Sequence, residues 1–148
     1  MNNQKEDGWI GVDLDGTLAH YDGWRGNDHI GEPIKPMLAR VRRWLRDGLD
    51  VRIFTARVAC IDDSSPQSMI DAVLVPIQNW CEKHVGQVLP VTCCKDMRMI
   101  ELWDDRCKQV IPNEGILAVD KAWRQGRQHA DDRLMDLFAQ FSNKIQEQ

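Results

Sequence analysis

The chain has 148 residues, 43% hydrophobic and 28% charged, which fits one soluble globular domain and excludes disordered, collagenous and disulfide-stapled classes. A formal net charge of −4 excludes a general electrostatic attraction to nucleic acid or anionic membrane. The polar opening Met-Asn-Asn-Gln-Lys-Glu-Asp has no signal-peptide core, no apolar run is long enough to span a membrane, and the five cysteines (60, 81, 93, 94, 107) form no Cys-x-x-Cys pair. No membrane contact and a reduced, cytoplasmic setting are therefore expected.

In chain order, residues 1–8 read as a flexible N-terminus. Trp9 to Leu14, an apolar run broken only by Gly11, reads as a strand buried on both faces. It delivers Asp13 and Asp15 into the turn Gly16-Thr17. Alternate side chains of an extended chain share a side, so both acids can face one ligand. Two such carboxylates repel unless a cation or shared proton neutralises them, and a hard divalent ion such as Mg2+ is the simplest neutraliser. Ala19 to Pro33 is a polar, glycine-rich loop. His20, Tyr21, Trp24 and Arg25 lie near its start and are candidate substrate contacts.

From Lys35, Met37, Leu38, Val41, Trp44 and Leu45 recur at helical spacing, with Pro36 in the first turn and Gly48 as the stop. The opposite face carries Arg40, Arg42, Arg43 and Arg46 and reads as solvated. Val51 to Phe54 is a second strand, ending at Thr55-Ala56-Arg57, with Arg57 a candidate anion contact. Ser65 is the expected N-cap of the next helix and Pro66 its first residue. Met69, Ile70, Val73, Ile77, Trp80, Cys81 and His84 mark its apolar side. Pro76 is expected to kink or split that helix.

Leu89 to Cys93 suggests a short third strand, and Ile100 to Trp103 a further strand leading into Asp104-Asp105. Gln109 to Ile111 suggests a last one. A C-terminal helix over about 120–146 follows, with Trp123, Leu134, Leu137, Phe138, Phe141 and Ile145 on one face. Strands alternating with helices imply an α/β, three-layer, Rossmann-like fold with a mainly parallel central sheet. Ligands of such sheets bind beyond the strand carboxyl ends, where Asp13/Asp15, Thr55 and Asp104/Asp105 all fall.

Those residues together resemble the haloacid dehalogenase superfamily of phosphohydrolases. An apolar strand followed by Asp-x-Asp-Gly-Thr-Leu spans residues 10–18; a strand ending in Thr spans Val51 to Thr55; a strand ending in paired acids spans Ile100 to Asp105. Lys95 is the best match for the family's lysine, ahead of Lys108 and Lys83. The resemblance covers roughly residues 9–112 and implies a Mg2+-dependent phosphomonoester phosphatase acting through an aspartyl-phosphate. On that reading Asp13 is the nucleophile and Asp15 the general acid and base. Asp13, the Asp15 carbonyl, Asp104 and Asp105 serve the metal. Gly16, Thr55, Ala56 and Lys95 hold the phosphate. The interval after the first motif holds only a loop, so no large cap domain is expected and the site should be open. A phosphorylated substrate of unknown identity is the implied partner. Rival readings are a polynucleotide end phosphatase, for which the open site argues and the acidic charge argues against, and a non-catalytic phospho-accepting or phosphate-binding module.

Overall fold

The structure, a computed structural model, describes residues 8–119; the expected C-terminal helix over 120–146 and the residues before Gly8 lie outside them. The chain divides into two compact units, Met1–Arg106 and Cys107–Gln148, so the single domain expected over residues 1–148 has an internal boundary after Arg106.

The first unit runs β1 (Trp9–Val12), α1 (Lys35–Arg46), β2 (Asp50–Phe54), a 3-10 turn (Ala56–Cys60), α2 (Gln67–His84), β3 (Val91–Thr92) and β4 (Met99–Trp103). The strands form one parallel sheet in the order β3-β2-β1-β4. The fold is thus α/β with an all-parallel four-stranded sheet, as the alternation of strands and helices implies. Among the described residues no helix is long and apolar enough to cross a membrane.

Successive crossovers from β1 to β2 to β3 step the same way across the sheet, so a constant hand puts α1 and α2 on one face. The core agrees. Ile10 and Val12 of β1 and Val51 and Ile53 of β2 pack with Met37 and Val41 of α1 and with Val73, Ile77, Trp80 and Cys81 of α2. Alternation turns Trp9, Gly11 and Arg52 to the other face. A Cβ on Gly11 would fall 2.7 Å from Met99 Cε and 3.1 Å from Leu102 Cδ1, so a larger residue there requires the Met99 side chain to shift.

α1 ends as its sequence suggests. Gly48 takes φ 77°, its N–H donates to the Leu45 carbonyl, and the Leu49 N–H reaches back to the Trp44 carbonyl, a Schellman closure. At α2 the expectation is off by one residue. Pro66 occupies the capping position outside the helix, while the Ser65 hydroxyl accepts from the Asp62 N–H and donates to Asp62 Oδ1. A local turn has claimed that serine instead of the helix end. Pro76 does not split α2, which is assigned without a break from Gln67 to His84.

β3 and β4 sit at opposite edges of the sheet, yet only residues 93–98 join them. The path crosses three strand spacings of ~4.8 Å while descending four residues, a diagonal of about 20 Å. Seven chain steps reach about 24 Å when extended, so a strap suffices where a helical crossover does not fit. Asp96 anchors it, accepting from the Trp9 indole N–H at 2.8 Å and from the Arg98 N–H at 2.8 Å. The Trp9 N–H donates to the Arg98 carbonyl at 2.9 Å.

In the second unit, Gln109 to Ile111 add no strand to the sheet. Val110 and Leu117 form an isolated antiparallel bridge around a turn, with Asn113 at φ 63° and Gly115 at φ 69°. A strand too short to bury a face pairs locally instead.

Ile53 is fully buried between the sheet and the helices. Ile53→Ala should cost about 2–5 kcal/mol in denaturant unfolding with an unchanged m-value. A loss below about 1 kcal/mol would mean that this face is not the core.

Candidate active site

β1 hands the chain over at Val12, and the Asp13 N–H donates to the Trp103 carbonyl of β4 at 2.8 Å. That bond fixes Asp13 beside the carboxyl end of β4, where Asp104 and Asp105 follow at once. Carboxylate oxygens of Asp13, Asp104 and Asp105 lie within 4.8 Å of one another. Thr17 ties the group together, donating its hydroxyl to Asp13 Oδ2 at 3.1 Å and accepting the Asp105 N–H at 3.0 Å.

Gly16 allows this closeness. It takes φ 96°, and a Cβ there would lie 2.7 Å from Asp105 Oδ2. Its N–H donates to the Ala19 carbonyl at 2.8 Å, so Gly16 spaces the acids and does not offer that N–H to a phosphate, contrary to expectation. The turn between the acids is too tight to leave its own amide unpaired.

Burial, reinforced by the neighbouring Asp104 and to a lesser degree Asp105, pushes the Asp13 carboxyl up to about 6, against the lowering effect of Thr17 and the Leu14 N–H. Crowded carboxylates of this kind fit a hard cation. In an octahedral Mg2+ shell with Mg–O of about 2.1 Å, ligand oxygens sit about 3–4 Å apart, which this trio meets with small adjustments.

Asp15 faces a different partner. Arg57 Nε donates to its Oδ2 at 2.6 Å and Nη2 to its Oδ1 at 2.8 Å, a two-point pair with the Arg57 side chain almost wholly buried. The same guanidinium donates to the carbonyls of Asn27 at 3.0 Å and His29 at 2.9 Å. Its carbon lies 4.9 Å from the Trp24 ring centroid. Four of its five N–H donors are thus committed within the chain. Arg57, a candidate substrate contact on sequence, is instead a clamp between Asp15 and the loop.

These groups line one cleft of about 610 Å³, with Asp13, Asp15, Thr55, Ala56, Arg57, Asp104 and Asp105 among its walls. The three polar clusters expected at strand carboxyl ends do converge. Thr55 is buried there, accepting the Arg57 N–H at 3.3 Å, so its O–H proton is left to donate. Tyr21 and Trp24 line the cleft, but His20 and Arg25 do not; Arg25 pairs instead with the nearby carboxylate of Asp22.

Lys95 is not brought to the acids either. It is exposed on the strap and lines a separate depression with Met97, Met99 and Leu102. Of the strap, Cys93 still lines the cleft, whereas Lys95 and Asp96 line the depression beside β4. Lys83 lies in the last turn of α2, beside a third depression. Among the described residues the cations lining the cleft are Arg57 and Arg106. Arg106 went unnoticed in the sequence; its one signal is its position next to the acid pair.

Packing also sets the state of two cysteines. Cys81 is buried in the core, and burial pushes its thiol up to about 11. Cys93 is likewise raised, by burial and by Cys94, whose sulfur is 3.9 Å away. Neither is an activated thiolate. No family model matches the chain, and no curated protein or solved structure matches it.

The Asp13 carboxyl binds its proton more tightly in the folded state than in the unfolded one, so metal-free stability should fall as pH rises from about 4 to 6. In EDTA, Asp13→Asn should therefore be more stable than the wild type above pH 6, by about 1–2 kcal/mol after allowance for solvent screening. The gain should disappear towards pH 4. Equal differences at both ends of a thermal-melt pH series would contradict this account.

Proposed function

We propose that this chain is a capless Mg2+-dependent phosphomonoester phosphatase of the haloacid dehalogenase type, working in a reduced, cytoplasmic setting. The observation that carries the reading is the convergence of Asp13, Asp104 and Asp105 within 4.8 Å at the strand ends, with Asp15 and Thr55 in the same cleft. None of the five cysteines is in a disulfide, which supports the setting.

In the proposed reaction an Asp13 oxygen attacks phosphorus as the bond from phosphorus to the leaving oxygen breaks. Asp15 gives that oxygen its proton, so the alcohol leaves and an aspartyl-phosphate remains. Asp15 then takes a proton from a water whose oxygen attacks phosphorus, releasing inorganic phosphate and restoring Asp13. Each Asp15 oxygen carries a second lone pair beyond the one that Arg57 uses, so the acid can serve the substrate without breaking the clamp. Thr55 donates to a phosphate oxygen. Asp13, Asp104 and Asp105 would hold Mg2+, which when bound would supply positive charge for a carboxylate to approach a phosphate.

The cation expected from Lys95 falls in this reading to Arg106, at the mouth of the cleft. Mg2+-dependent hydrolysis of p-nitrophenyl phosphate should vanish in Asp13→Asn. Arg106→Ala should raise KM roughly tenfold, the worth of about one charge-assisted hydrogen bond, while Lys95→Ala stays close to wild type. Full activity in Asp13→Asn would sink the nucleophile; a larger defect in Lys95→Ala than in Arg106→Ala would reverse the cation assignment.

A further inference from the structure

Trp24 is 57% exposed and Tyr21 40%, and both stand on the wall of the cleft that holds the acids. A large exposed aromatic wall on a charged cleft has no stabilising role of its own. Trp24 nonetheless touches the acid site through Arg57. One side of its ring rests on the Arg57 guanidinium, whose other donors grip Asp15, Asn27 and His29. The loop is tied elsewhere as well: the Trp80 indole N–H donates to the Gly31 carbonyl, and the His20 N–H to the Glu32 carbonyl, each at 2.8 Å. Rigid aromatic surface binds flat ligands at little entropic cost.

We propose that this surface selects the substrate, and that the phosphatase site takes a nucleoside monophosphate whose base stacks on Trp24. The inference rests on the phosphatase reading for the position of the phosphate. The geometry links the two ends: the guanidinium beneath the indole is the one that holds Asp15, so base and phosphate subsites share one rigid part. A cleft of about 610 Å³ is of the size that encloses a small organic ligand. The charge decides against a strand end. With four carboxylates in the cleft, two arginines and a net charge of −4, a single phosphate can be compensated, but a run of phosphates is repelled. Trp24 is thereby a specificity-determining residue and not a catalytic one.

The test uses Asp13→Asn protein with Mg2+, so that ligands are bound without turnover. Calorimetric titration should show adenosine 5′-monophosphate binding about 5–100-fold more tightly than ribose 5-phosphate, the usual worth of one stacked base. Adding Trp24→Ala should bring the two together, and Trp24→Phe should restore part of the difference. Equal binding of the two ligands, no binding of either, a preference that survives Trp24→Ala, or phenyl phosphate binding as tightly as the nucleotide would each overturn the proposal. Tighter binding of a 5′-phosphorylated oligonucleotide would overturn it in favour of a strand end. Wild-type hydrolysis separates this inference from its parent. Base-dependent binding with no turnover of any phosphomonoester removes the phosphatase reading alone; turnover blind to the base removes the nucleotide alone.

Discussion

Four carboxylates gathered at one edge of a parallel sheet are the constraint on which the site depends. Asp13, Asp15, Asp104 and Asp105 share a cleft in which burial and the neighbouring Asp104 raise the Asp13 carboxyl, and the chain arranges the four acids in two ways. Asp15 is neutralised from within, by a two-point pair with Arg57. Among the described residues the other three form no such ion pair, and they stand within 4.8 Å of one another. One acid is thereby kept in place by the protein's own cation, and three stand together at the strand ends. The two carboxylates of Asp-x-Asp start from the same sequence chemistry and end in different environments.

Arg57 also connects the cleft floor to its rim. It leaves the end of β2 through the 3-10 turn, holds Asp15 on one side and the carbonyls of Asn27 and His29 on the other, and carries Trp24 on its face. A lysine in its place offers neither the fork that meets a carboxylate at two points nor a flat face for an indole. The loop over 19–33 is consequently an ordered wall despite its glycines. A short loop can in this way give one side of the cleft a defined shape.

The β3–β4 strap shows a different economy. Parallel neighbours are normally joined by a helix, but β3 pairs through only Val91 and Thr92, and the return path is short enough for extended chain. On the other sheet face Trp9, Arg52 and Asp96 form a polar seam. The same strap carries Lys95 out of reach of the acids. Lys95, the best match to the lysine of the family that the motifs resemble, lines a separate depression instead.

Sequence by itself determined the parts whose signal is local. Periodicity marks both helices and the strands β1, β2 and β4; Gly48 marks the end of α1; and the turn Asp13-x-Asp15-Gly16-Thr17 marks the acids at a strand end. Parallel topology follows from the alternation, and with it the gathering of Thr55 and Asp104/Asp105 at one edge. Whatever depends on where distant segments meet was decided only by the tertiary structure. Ser65 and Gln109 to Ile111 carry the right residues for a cap and a strand but lose them to nearby turns. Arg57 reads as an anion contact until Asp15, forty-two positions away in sequence, claims it. Arg106 lines the cleft and Lys95 does not, because reach depends on the path of the chain and not on residue type. Chemistry is written in short motifs, whereas the pairing of charges is written in the fold.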